Sequence, residues 1–112
     1  MAHARKPARV AEEDSETPYM TRRAMDFIAE AGDKPWCLHL SYIKPHWPYI
    51  APAPYHSLYG VKDILPANKH EHERNNPHPV FGAFQDHRVG KVFAKEEVRG
   101  KVIPAYMGLI AQ

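Results

Sequence analysis

Four prolines, Pro45, Pro48, Pro52 and Pro54, fall within ten residues, and no other feature constrains the fold of this chain as much. Each proline lacks an amide donor, fixes its own φ and pushes the preceding residue into extended backbone. Residues 44–54 therefore cannot belong to a helix or a fully paired strand, and regular structure must lie on either side of them. The same stretch carries Trp47, Tyr49 and Ile50, which is too apolar for an idle linker.

Before the loop the pattern is helical. Ser15 or Thr17 can cap, Pro18 fits a first turn, and Asp14 and Glu16 sit where the helix dipole favours anions. Met20, Ala24, Phe27, Ile28 and Ala31 recur on one face, and Gly32 followed by Asp33-Lys34-Pro35 ends the run. Residues 1–13 have no apolar anchor and read as a disordered polar lead-in. Residues 36–43, Trp-Cys-Leu-His-Leu-Ser-Tyr-Ile, then read as a short strand with apolar or aromatic side chains on both faces. That density is what a strand covered on both sides shows, so helix, turn and buried strand together predict an α/β fold.

After the loop, residues 55–59 suggest one helical turn closed by Gly60, and residues 61–79 a polar, exposed insertion. A short helix is expected over residues 80–87. A longer one begins at Glu96, with Val98, Val102, Tyr106 and Leu109 or Ile110 on one side, a kink at Pro104 and a weak point at Gly100. A lone buried strand leaves its amides and carbonyls without partners, and the sequence ends inside a helical pattern. The expectation is a segment of a larger α/β domain.

Charge excludes some function classes. Lys and Arg total 15 against 13 Asp and Glu, a net +2 with no basic stripe, so nucleic acid is not an expected partner. No window approaches the roughly 18 apolar residues of a membrane span. The basic start runs into Glu12-Glu13-Asp14 rather than an apolar segment, which is not a secretory signal; the compartment stays open. The single cysteine, Cys37, excludes an internal disulfide and a cysteine-based zinc site.

Three places could carry chemistry. Lys44 and His46 stand just past the expected strand, where open α/β sheets bind their ligands, and Pro45 stiffens the placement of both. An ammonium and a ring N–H suit an oxyanion such as sulfate or phosphate. His70-Glu71-His72-Glu73 looks superficially like a metal cluster but lies in a hydrophilic stretch without further ligands, which favours a solvated loop. Cys37, with His39 two residues on, reads as an inert thiol in a buried strand rather than a nucleophile.

The run Asp33-Lys34-Pro35-Trp36-Cys37-Leu38-His39-Leu40-Ser41-Tyr42-Ile43-Lys44-Pro45-His46-Trp47-Pro48-Tyr49 resembles the central strand and loop of sulfatases, above all those akin to phosphonate monoester hydrolases, within the alkaline phosphatase superfamily. Flanking stretches match in order: Thr21 and Ala24-x-x-Phe27-Ile28 before the loop, Ala53-Pro54-Tyr55-His56, Asn76-Pro77-His78-Pro79 and Tyr106-Met107-Gly108-Leu109-Ile110-Ala111 after it. The resemblance implies that residues 14–112 belong to an α/β/α sandwich and contribute one central strand, flanking helices and long loops. It implies a parent enzyme that hydrolyses small sulfate, phosphonate or phosphate esters, with His46 as the catalytic histidine on the transferred group and Lys44 beside it as a substrate-binding cation. It further implies a formylglycine nucleophile and a divalent metal. This chain lacks the nucleophile motif, Cys-x-Pro/Ala-x-Arg, and supplies no metal ligand, so both are expected from other segments. The isolated chain is then expected to be inactive and to need the rest of its domain, or self-association, to cover it. The alternative is a non-catalytic binding or interaction module derived from the family.

Overall fold

The computed structural model describes residues 3–112. Its regular elements are helical: α1 (Glu16–Ala31), α2 (Pro79–Asp86), α3 (Arg88–Phe93) and α4 (Glu96–Ala111), with short 3-10 turns at Glu12–Asp14, Tyr55–Ser57, Val61–Asp63 and Glu71–Arg74. The helix expected before the loop is α1. Ser15 is its N-cap by backbone, and Gly32 follows its last turn with φ 55°, a left-handed conformation that glycine adopts without Cβ strain.

No strand forms among the described residues, which overturns the expected α/β fold and the central strand of an α/β/α sandwich. Residues 36–43 form no regular element, and residues 36–42 make no backbone hydrogen bond among the described residues. The physical reason is partnership. Apolar density reports what a segment buries when covered, but a ladder needs a second strand, and the described residues supply none. The faces stay open in consequence: Trp36, Leu38, Tyr42 and Ile43 are exposed, and only Leu40 is half-buried. Cys37, expected inside a buried strand, is exposed too.

Helix α4 organises what core there is. Val102 and Ala105 on its inner face bury against Ala4 from the polar lead-in, and Tyr49, Phe93 and Val98 pack around them. Tyr49 meets Phe93 and Tyr106 edge-on, at centroid distances of 6.3 and 6.1 Å. Ala51 and Pro52 are fully buried, and the turn at Tyr55–Ser57 lies against α4. Gly108 makes that approach possible, because a Cβ there would collide with the Tyr55 carbonyl. Pro104 sits inside α4 and is buried, and the helix continues through it. The stretch expected as a polar insertion is exposed at every position from residue 65 to 76.

Candidate functional site

The proline-rich loop begins with a tight turn. The His46 amide donates to the Ile43 carbonyl at 2.9 Å, and the Ile50 amide donates to the Pro48 carbonyl at 2.9 Å. Lys44-Pro45 and Trp47-Pro48 are both cis, as is Ala53-Pro54 further on.

The two side chains of interest part company at this turn. The exposed His46 ring lies with Nδ1 3.1 Å from the Trp47 carbonyl oxygen. A carbonyl only accepts, so Nδ1 carries the proton and Nε2 is the atom left for a ligand. Lys44 turns inward, its Nζ donating to Gln112 Oε1 at 2.9 Å. Burial lowers the Lys44 pKa from its ordinary value of 10.5, and the carboxylates of Glu16 and Glu12 oppose that shift. No hydrogen bond joins Lys44 to His46. One of the three ammonium donors is committed to Gln112, and the others make no hydrogen bond among the described residues.

Gln112 and Ser15 complete the surroundings of Lys44, because the Gln112 side-chain amide donates in turn to Ser15 Oγ. Sequence reading missed both. Gln112 lies 68 residues from Lys44 and 97 from Ser15, and no local pattern reports such a pairing. Ser15 was legible as an N-cap, but its hydroxyl is used here and makes no cap bond to α1. A second tie holds the same region: Thr21 Oγ1 on α1 and the Tyr42 hydroxyl are 2.6 Å apart.

The other histidines take structural places. His70 and His72 stack at 4.7 Å, with His70 Nδ1 accepting from the His72 amide. His78 and His87 stand as N-caps of α2 and α3, where Nδ1 accepts from the amides of Val80 and Val89. His39 is exposed, and His56 is half-buried with Nδ1 unpartnered. Among the described residues no three His, Cys, Asp or Glu side chains converge to hold a metal ion, so they do not fit the divalent metal that the resemblance implies. Cys37, exposed in a segment without regular structure, lacks the motif that a formylglycine precursor requires. No helix among the described residues is long and apolar enough to cross a membrane.

Comparison with known proteins finds similarity to a protein of the alkaline phosphatase superfamily. It is 32% identical, over a 119-residue alignment, to the multifunctional alkaline phosphatase superfamily protein PehA of Trinickia caryophylli. The alignment takes in 96% of this chain and 23% of that protein, so the chain spans about a quarter of the relative's length. No family model matches.

Proposed function

We propose that this chain is part of the catalytic domain of a sulfatase-like hydrolase, and that its loop binds the oxyanion of a small sulfate or phosphonate ester. One observation carries the reading: the similarity to the superfamily protein reaches across nearly the whole chain, and so across Lys44-Pro45-His46. The geometry of His46 supports it. With Nδ1 on the Trp47 carbonyl, the ring presents Nε2 outward, and in its protonated form would donate a charge-assisted hydrogen bond to a non-bridging oxygen, about twice as strong as a neutral one. Lys44 would add a second positive charge from the other side of Pro45. A formylglycine nucleophile and a divalent metal belong, on the same resemblance, to segments outside these residues, and the chain by itself is proposed to be inactive.

The test is made on the full-length parent, with a sulfate monoester and a phosphonate monoester as substrates. Hydrolysis of one or both, sharply reduced by His46→Ala, is expected. If the parent hydrolyses neither and has no Cys-x-Pro/Ala-x-Arg motif, the chain is instead a non-catalytic module derived from the superfamily.

A further inference from the structure

We infer that Gln112 and Ser15 are positioning residues for Lys44, holding its ammonium at the base of the His46 loop through a directed Lys44–Gln112–Ser15 chain of hydrogen bonds. The inference rests on the proposed oxyanion role of the loop and names what aims its lysine. Its direction is fixed by chemistry. An ammonium has donors only, so the Gln112 amide must turn Oε1 toward Lys44, where the separation is 2.9 Å. Nε2 then faces the other way and needs an acceptor, which the Ser15 hydroxyl oxygen provides. Flipping the amide would set donor against donor at Lys44. Lys44 therefore fixes the amide orientation, and the Ser15 hydroxyl, which can accept, anchors the other end of the amide in that orientation.

Position and burial support the same role. Ser15 is only 9% exposed, so water competes poorly for its hydroxyl, and that hydroxyl makes no bond to α1 although Ser15 is the N-cap. The chain of bonds joins three distant parts of the sequence: the start of α1, the residue after α4 and the first residue of the loop. The long lysine side chain carries much rotamer freedom, and fixing one donor on Gln112 removes most of it before an anion arrives. Thr21 and Tyr42 brace the same junction independently, so the hydrogen-bond chain can be cut without freeing the Tyr42 segment from α1.

The experiment follows the Lys44 ammonium by NMR of the full-length parent labelled with ¹⁵N-lysine, at a temperature and pH where a held ammonium exchanges slowly with water. Inorganic phosphate is the anion probe, and the Tyr42 ring signals and helical circular dichroism report folding. In the unsubstituted parent Lys44 should give a slowly exchanging signal that shifts on adding phosphate. Gln112→Ala should abolish the slow exchange and weaken phosphate binding about threefold or more, as losing one net hydrogen bond implies. Ser15→Ala should act in the same direction and less, since Oε1 remains but the amide is no longer anchored. Gln112→Glu, which keeps an acceptor for Lys44, should restore slow exchange. Unchanged Lys44 exchange in both Gln112→Ala and Ser15→Ala would overturn the inference, and Ser15→Ala alone decides it if Gln112→Ala fails to fold. If phosphate moves neither Lys44 nor His46 in the unsubstituted parent, the oxyanion reading of the loop fails, while the exchange data still decide the positioning role.

Discussion

At the scale of single residues, Lys44 and His46 leave one turn toward different surroundings. A proline between two chemically apt side chains signals a fixed turn, but it does not say which way each side chain leaves it. The structure sends Lys44 inward to Gln112 and leaves His46 exposed on the Trp47 carbonyl. Each direction carries a measurable consequence. In the full-length parent, His46→Ala should lower turnover on the order of 10²-fold, as loss of a positioned acid or base does. His39→Ala and His56→Ala should cost far less, because neither ring belongs to the proposed site. Wild-type turnover in His46→Ala, with either other variant inactive, would move the site elsewhere. For Lys44, burial disfavours the ammonium in the folded chain, so its neutral amine is populated at lower pH than in an unfolded one. Competitive acetylation across the alkaline range should therefore give Lys44 a reactivity midpoint below 10.5. Because the Glu16 carboxylate raises the pKa, Glu16→Gln should move that midpoint lower still. A midpoint at or above 10.5, or an upward move in Glu16→Gln, would mean the lysine is not desolvated as described.

At the scale of elements, α1, α2 and α4 were readable because a helix satisfies its own backbone, whereas a strand depends on something else; the short α3 was not expected. The Met20, Ala24 and Ala31 spacing and the Gly32 stop sufficed for α1, and the Val98, Val102 and Leu109 spacing for α4. The run at residues 36–43 carried an equally strong apolar signal, but its conformation turned on a neighbour that the pattern could not report. Its amides should accordingly exchange with solvent deuterium almost as fast as in an unstructured peptide, while the inner face of α4 is protected. Strong protection there would show that the segment is paired. Glycines offer a finer contrast within α4. A methyl at Gly100 would meet Val61 Cγ2 at 3.7 Å, an ordinary contact, so Gly100→Ala should raise helix stability by about 0.8–1 kcal/mol. Gly108→Ala gains the same propensity but drives its Cβ into the Tyr55 carbonyl, and should loosen the turn at Tyr55–Ser57 from α4. Thermal melts followed at 222 nm, compared between the two variants, test the opposite signs.

At the scale of the whole molecule, the chain is too open for its length. Its radius of gyration is 18.7 Å, with extents of 59 × 31 × 22 Å, where a compact domain of this size has a radius of about 13 Å. The buried hydrophobic residues are Ala4, Ala24, Ala51, Val102, Ala105 and Leu109, four of them alanines with little apolar surface to remove from water. Burying a valine or leucine side chain contributes about 1.5–3 kcal/mol, whereas ordering one residue's backbone costs about 1–2 kcal/mol. So small a core sets little burial against the ordering of so long a chain, and the partly buried Tyr49, Phe93 and Val98 add only part of their surface to it. Meanwhile Phe27, Ile28, Trp36, Tyr42, Ile43 and Trp47 stay exposed around α1 and the loop, with Trp36 resting edge-on against Phe27 at 6.3 Å. Surface of that kind is covered in a stable protein or it associates. The chain alone should therefore melt broadly, with helical signal lost over a wide temperature range, and sedimentation should reveal association that grows with concentration. Trp47→Ser together with Ile43→Ser should reduce that association without sharpening the melt, because neither residue is part of the core that α4 organises. A monomer with a sharp cooperative melt at low concentration would instead mean that these residues close their own core, and the proposal that they belong within a larger domain would fall.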